Sequence, residues 1–205
     1  MSLIWLDCLR SIGWRLKRSS EVFASWDGEG QLTLGLAAEL DPDDHLGQLI
    51  LHELCHALIE GTRGRHQIDW GLENIDQRHL VNEFACHRLQ AYFADQYGLR
   101  GLFAVTTDWR PYFDQIPAES VVEQTDGQLV QWATLFGISV SEARSLDVCA
   151  TYKFRRFLSE ESPAPAQEVS DRVIIHHIHR ALAKSKALAN VMADLSLKDT
   201  LWNLA

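Results

Sequence analysis

The sequence has few of the features that mark exported, membrane-spanning or disulfide-bonded proteins. Its four cysteines lie far apart among 205 residues, and no two of them form the CxxC pair used for zinc binding or thiol exchange. No apolar run approaches the roughly 20 residues that a membrane helix needs. The start of the chain lacks the continuous apolar stretch and the cleavage site of a signal peptide. We therefore expect a cytoplasmic protein without a membrane segment.

Basic residues are also scarce, with 19 lysines and arginines against 28 aspartates and glutamates and a formal net charge of -9. Binding to the phosphate backbone of a nucleic acid requires a positive surface, so we expect no nucleic-acid partner. The composition is otherwise that of an ordinary globular protein, with 46% hydrophobic and 23% charged residues. A chain of this length accommodates one catalytic-sized domain and a small appendage.

The first third of the chain alternates between helical and extended patterns. Apolar residues from Leu3 to Trp14 have helical spacing, and we expect one amphipathic helix with basic residues near its end, namely Arg10, Arg15, Lys17 and Arg18. Residues 22–36 alternate in hydrophobicity around a glycine-bearing turn and predict a β-hairpin. The segment Asp41-Pro42-Asp43-Asp44 has the capping residue, the proline and the acidic charge of a helix start. That helix should run to about Gly61.

The remaining chain is predicted to be helical. Asp76 is a candidate cap for a long helix that Gly98 closes, and two further helices flank Gly137. Either Ser139 or Ser141 is expected to cap the second of these two helices.

The predicted fold class is α+β, mainly α, with a small sheet or hairpin before the helix that starts near Asp41. Residues 1–158 form the expected catalytic domain, and residues 159–170 have the composition of a linker. Residues 171–205 are expected to form a helical appendage that packs back on the domain or mediates association.

The strongest motif is His52-Glu53-Leu54-Cys55-His56, an HExxH sequence inside a predicted helix. Residues four apart share one helix face, so His52 and His56 can bind one metal ion, while Glu53 leans over the open side. The alternative is a structural pair of histidines. Metal binding is favoured because burial of these polar groups in an apolar helix would otherwise leave them unsatisfied. Cys55 is expected to pack in the core.

A catalytic metal site needs a third protein ligand and a vacant position. Glu83 ranks first because it interrupts the apolar pattern of the next long helix, although an exposed or salt-bridged acid is the alternative. His79 and His87 flank it at four-residue spacing as outer partners or competing ligands, and His87 ranks second. Asp69 is more suited to orienting a histidine or fixing a loop. His176-His177-Ile178-His179 is expected to lie on a solvated helix face.

A longer pattern extends from the motif without gaps and consists of His52, Glu53, His56, Ile59, Gly61, Arg65, Asp69 and Gly71. This pattern resembles the core signature of the elongation factor P hydroxylase family. Weaker matches follow at Glu83, Leu89, Phe93, Phe103-Ala104-Val105, Gly137-Ile138 and Ala143-Arg144, so the resemblance covers roughly residues 50–145.

The resemblance implies a zincin-like metal-binding helix and an enzyme that hydroxylates a modified lysine on elongation factor P, or a side chain of another protein. Carried over by position, His52 and His56 are metal ligands, and Glu83 is the third ligand. The sequence departs from the family where an aromatic residue is expected after the second histidine, which is Ala57 here. An aromatic pair after the signature is replaced by Leu72-Glu73.

The ligand types allow two metals and two reactions. Iron(II) held by two histidines and a carboxylate is typical of hydroxylases. Zinc held by the same ligands is typical of peptidases, in which Glu53 would take a proton from water. The segment Asn82-Glu83-Phe84-Ala85 loosely resembles repressor-cleaving metallopeptidases. The hydroxylase is expected first, the zinc metallopeptidase second, and a non-catalytic metal-stabilised interaction protein third.

Overall fold

A computed structural model describes residues 1–72, 77–159 and 170–194. Within these ranges the chain is mainly helical and contains a three-stranded sheet, which confirms the predicted α+β class with a helical majority. The elements in chain order are α1 (Ser2–Ser11), β1 (Arg15–Ser19), β2 (Ala24–Trp26), β3 (Gln31–Gly35), α2 (Leu46–Ile59), α3 (Gly61–Arg65), α4 (Gln77–Asp95), α5 (Arg110–Phe113), α6 (Asp126–Phe136), α7 (Val140–Ser159) and α8 (Asp171–Asp194).

The sheet has the strand order β1-β3-β2. Strands β2 and β3 form the predicted antiparallel hairpin, with Ser25 opposite Thr33. The Asp27 carboxylate accepts hydrogen bonds from the backbone N–H groups of Glu29 and Gln31 and so stabilises the turn. Strand β1 runs parallel to β3 on its other side. The hairpin therefore leaves β2 at one edge of the sheet.

The expectation of one helix from Leu3 to Trp14 is wrong at its end. Helix α1 stops at Ser11, Gly13 adopts φ 81, and the Trp14 N–H donates to the Leu9 carbonyl at 2.9 Å. The left-handed glycine turns the chain back, so Arg15, Lys17 and Arg18 belong to β1 rather than to a helix end. Pairing with β3 determines this outcome, and the local sequence does not contain that information.

The predicted start of the motif helix is also wrong by four positions. Helix α2 begins at Leu46 because the His45 side chain caps it, with Nδ1 accepting from the Gln48 N–H at 3.1 Å. The aspartates before it form a turn in which the Asp44 N–H donates to the Asp41 carbonyl. Nearly the whole of α2 is buried.

Helix α4 is the central element and packs against both α2 and α7. Its predicted cap, Asp76, lies outside the described residues, and Gly98 follows its end with φ 63. Gly137 ends α6 in the left-handed conformation, and the Ser139 hydroxyl accepts from the Glu142 N–H at the start of α7. Of the two serines proposed as the cap, Ser139 therefore has this role.

Helix α8 packs against α1, α2 and α4. Ile174 and Ile178 are completely buried in the common core, and the Trp5 indole donates to the Ser185 hydroxyl at 3.3 Å. Residues 160–169 of the predicted linker lie outside the described ranges. Among the helices that the structure describes, none is long and apolar enough to cross a membrane.

Candidate metal centre

The two histidines of the HExxH motif face helix α4 from α2. Their spacing of four residues places both rings on one side of α2, and their Nε2 atoms lie 3.0 Å apart. Glu83 of α4 meets them with both carboxylate oxygens. Its Oε1 lies 3.1 Å from His52 Nε2, and its Oε2 lies 3.3 Å from His56 Nε2. The structure thus brings together the three residues that the sequence proposed as metal ligands.

These side chains lie in a cleft of about 210 Å³. The cleft is bordered by α2, α4, strand β2, the loop around Trp70 and the segment from Val105 to Trp109. The His52 side chain is 19% exposed and the Glu83 side chain 17%, while that of His56 is 6% exposed. The three groups are therefore shielded from bulk water but reachable from the cleft.

Neighbouring side chains fix the orientation of both motif histidines. The Gln90 amide nitrogen donates to the carbonyls of Phe103 and Ala104, which leaves its Oε1 to accept from His52 Nδ1 at 3.0 Å. The Cys86 sulfur lies 3.3 Å from His56 Nδ1. A histidine whose Nδ1 carries the proton presents the lone pair of Nε2, and outer partners of this kind are usual for metal-binding histidines.

The electrostatics of the cluster favour an ionised glutamate. Burial by itself raises the pKa of Glu83, but His56 and His52 hold that pKa well below its usual range. Burial lowers the pKa of His52, yet the negative charge of Glu83 and the hydrogen bond that its carboxylate accepts outweigh this effect and raise the pKa to about 9. The cluster therefore has a strong preference for positive charge next to Glu83, and a divalent cation supplies such charge.

Glu53 does not touch the three ligands and is held by the loop that follows α3. Its Oε2 accepts a hydrogen bond from the Trp70 indole at 2.9 Å, and the residue is 6% exposed. Both Asp69 and Trp70 adopt positive φ angles of 48° and 61°. Few residues other than glycine adopt this conformation, so the surrounding structure must impose it.

The later part of the sequence signature fixes this loop rather than binding a metal. Asp69 Oδ1 accepts from the Trp26 backbone N–H at 3.0 Å, and the Trp26 indole donates to the Arg65 carbonyl. The rings of Trp26 and Trp70 are stacked with centroids 4.6 Å apart. Arg65 is buried and donates to the Ala57 carbonyl. Asp69 thus has the loop-fixing contact that the sequence suggested for it.

Two neighbouring sets of side chains have the spacing of metal ligands. One consists of His52, Glu83 and His87, and the other of His56, Glu60 and Cys86. The first set omits His56, yet the distances from His56 Nε2 to its neighbours place it in the same centre. The second set uses the opposite ring nitrogen of His56, and its glutamate is already paired with Lys153 at 3.3 Å. We therefore interpret the second set as side chains that hold His56 in place, and not as a second metal site.

Other candidates lie outside these groups among the described residues. Neither His79 nor the histidines of α8 belong to a set with metal-ligand spacing. His176 is exposed, and His179 contacts the Tyr97 hydroxyl at 3.1 Å. Cys55 is fully buried in the core, as predicted.

Three residues that contact the motif side chains were not predicted from the sequence. Gln90 lies seven residues after Glu83, on the same helix face, and this spacing was an available signal. Cys86 lies three residues after Glu83 and offered the same signal. Trp70 gave none, because its contact with Glu53 depends on the unusual loop conformation.

Comparisons with models of protein families, with curated proteins and with solved structures found no match for this chain.

Proposed function

We propose that the protein is a metal-dependent enzyme that hydroxylates a side chain of another protein. One divalent ion, iron(II) or zinc, is held by His52, His56 and Glu83. The observation that carries this proposal is the convergence of two imidazole Nε2 atoms and both oxygens of one carboxylate within 3.0–3.3 Å, beside an open cleft. Two histidines and a carboxylate with open positions are typical of the iron(II) oxygenases.

The architecture of the site is consistent with a zincin-like core. The HExxH helix α2 packs against α4, which carries the third ligand, and the hairpin strand β2 borders the cleft. This arrangement agrees with what the resemblance to the elongation factor P hydroxylase family implies. The substrate in this proposal is elongation factor P or another protein with an accessible side chain.

The donor set fits a divalent metal ion. Each motif histidine has an outer contact at Nδ1, and Glu83 is favoured as a carboxylate, so a cation that replaces the Nε2 proton of His52 would meet all three groups at one point. Iron(II) in such a site supplies dioxygen activation, whereas zinc supplies a Lewis acid and an acidified water. The protein supplies the orientation of these ligands and the shape of the cleft.

The lining of the cleft favours hydroxylation over hydrolysis. The Trp70 indole already engages Glu53, the residue that a peptidase would use as a general base. The described lining residues include no arginine, lysine or tyrosine, so the side chains of Ser25, Gln48 and Thr106 are neutral donors there for a developing oxyanion. Leu49, Val105 and Trp109 give the cleft apolar walls, which suit the hydrocarbon part of a substrate side chain.

A zinc metallopeptidase is the second candidate, and the position of β2 favours it. The carbonyl of Phe23 and the N–H of Asp27 bond to β3, so the backbone groups of Ala24 point to the outer edge, beside the cleft. An extended peptide can pair with such an edge. Glu53 lies in the same cleft wall and could act as a base once released from Trp70.

Metal analysis and two assays separate the candidates. Protein purified without chelator or added metal should contain about one iron per chain. With dioxygen and a two-electron reductant, elongation factor P should gain the mass of one oxygen atom while the second oxygen atom leaves as water. Glu53→Gln should retain this activity if the proposal is right. Zinc content, together with peptide cleavage that Glu53→Gln abolishes, would establish the peptidase. Metal that is bound without either activity would favour the interaction protein.

Matched variants test the ligands themselves. His52→Ala, His56→Ala and Glu83→Gln should each lose the metal. Glu123→Gln is the control, since Glu123 lies exposed beside Arg155 and does not line the cleft. The proposal fails if His52→Ala and His56→Ala retain full metal content.

A further inference from the structure

His87 lies beside the proposed ligands and lacks the hydrogen bonds that normally satisfy the ring nitrogens of a buried histidine. Its side chain is 0% exposed. Both of its ring nitrogens are buried and have no hydrogen-bond partner among the described residues. A buried polar group without a partner costs about 1–3 kcal/mol, so such a group in a folded protein calls for an explanation.

The position of the His87 ring offers an explanation for these unsatisfied nitrogens. His87 Nε2 lies 3.0 Å from Glu83 Oε1, although the two atoms do not form a hydrogen bond. The same oxygen lies 3.1 Å from His52 Nε2. One ligand atom from each of His52, Glu83 and His87 falls within 4.8 Å of the others. Ligand atoms that lie this close to one another have the spacing of donors around one cation.

We infer that His87 is a further ligand of the same divalent metal ion. The centre then consists of three imidazoles and one carboxylate, with two donors from α2 and two from α4. Glu83 and His87 are four residues apart on one face of α4, as His52 and His56 are on α2. The two helices thus present matching pairs of ligands across their interface. This inference rests on the proposed function only in requiring that the site binds a metal.

Aromatic rings hold His87 in this orientation. Its ring is edge-on to Trp109 with centroids 5.5 Å apart, and the rings of Phe84 and Tyr112 lie 6.0 Å away. The packing therefore keeps the imidazole directed at the carboxylate of Glu83.

A fourth protein ligand bears on the choice of metal. Catalytic zinc sites keep three protein ligands and a fourth position for water, whereas four protein ligands close a tetrahedral zinc site. A six-coordinate ion such as iron(II) retains open positions beside four protein ligands. Ligation by His87 therefore supports the hydroxylase over the zinc peptidase.

Cobalt(II) binding to the full chain tests the assignment without any activity assay. In the cobalt(II) protein, each ligating imidazole gives one strongly shifted N–H signal in the proton NMR spectrum, which disappears in deuterated water. We expect three such signals from the wild type and two from His87→Ala and His87→Gln. His179→Ala is the matched control, because this half-buried histidine contacts Tyr97 away from the cleft and its loss should leave three signals.

The affinity for cobalt(II) gives a second measurement. Loss of an outer partner weakens metal binding by roughly 10–100-fold, so a ligand should show a larger loss in both His87 variants. Circular dichroism establishes that the variants are folded, and His87→Gln limits the cavity that His87→Ala creates. Two imidazole signals in the wild type would overturn the assignment and leave the metal site intact. No cobalt(II) binding by the wild type would overturn the proposed function as well.

Discussion

The indole Nε1 of Trp70 donates a hydrogen bond to Oε2 of Glu53 at 2.9 Å, and both side chains are buried. The glutamate of the HExxH motif is therefore bound to a residue that adopts φ 61 in the loop after α3. This contact connects the motif helix to the later part of the sequence signature. It also holds the carboxylate that hydrolysis would require as a base.

Trp70→Phe should lower the free energy of unfolding by about 1–3 kcal/mol, because it leaves a buried carboxylate without a donor. Phenylalanine keeps most of the stacking with Trp26. Urea unfolding measures the change. Trp5→Phe is the control, since it removes an indole hydrogen bond to a serine that is also buried but neutral, and it should cost less, about 1 kcal/mol. Equal losses in the two variants would contradict the role given to Trp70.

Asp69→Asn and Asp69→Ala separate a loop residue from a metal ligand. Asparagine retains an acceptor for the Trp26 N–H and tolerates the left-handed backbone at φ 48, whereas alanine loses the acceptor and is strained there. We expect the free energy of unfolding of Asp69→Ala to be about 1–3 kcal/mol lower than that of Asp69→Asn. Metal content should be the same in both variants. A loss of metal from folded Asp69→Asn would identify Asp69 as a ligand instead.

Gln90→Met should weaken cobalt(II) binding by roughly 10–100-fold, since it removes the acceptor that orients His52. Competition with a chelator of known affinity measures the change. Gln96→Met is the control, because Gln96 lies exposed near α4 and contacts only a backbone carbonyl of that helix. Equal affinities of wild type and Gln90→Met would show that the orientation of His52 has another cause.

Arg88→Met should lower the free energy of unfolding by about 3–5 kcal/mol, because it leaves a buried Asp147 without its cation. Arg88 is 0% exposed and joins α4 to Asp147 of α7 and to the Tyr112 hydroxyl. Urea unfolding provides the measurement. Arg144→Met, which breaks an exposed pair with Asp126, should have a much smaller effect. Similar losses in both variants would rule out a special role for the buried pair.

Thiol labelling tests whether the core cysteines are buried. Only Cys149 of the four cysteines is exposed, so a thiol reagent should label this residue alone in the native protein. Burial raises the pKa of Cys8 to about 12 and places the pKa values of Cys55 and Cys86 well above their usual range. All four should react after unfolding. Rapid native labelling of Cys55 or Cys86 would contradict the packing of α2 against α4.

Local sequence patterns predicted some residues of the site but not others. The four-residue spacing of His52 and His56 fixes their common face on any helix, and an acid in the apolar pattern of α4 pointed to Glu83. The sequence ranked His87 behind Glu83, but it did not contain the distance that now places His87 beside the same carboxylate. The contact of Trp70 could not be predicted, because its position depends on two consecutive residues with left-handed backbone.

Helical periodicity, the hairpin turn and the HExxH spacing by themselves determined a mainly helical fold with a small sheet and one candidate metal site. These features follow from repeats of two or 3.6 residues, which the chain encodes locally. Tertiary structure alone decided that Arg15–Ser19 forms a strand, since that depends on pairing with β3. It also decided which side chains surround the proposed ligands, because Gln90, Cys86 and Trp70 reach them only when separate segments pack together.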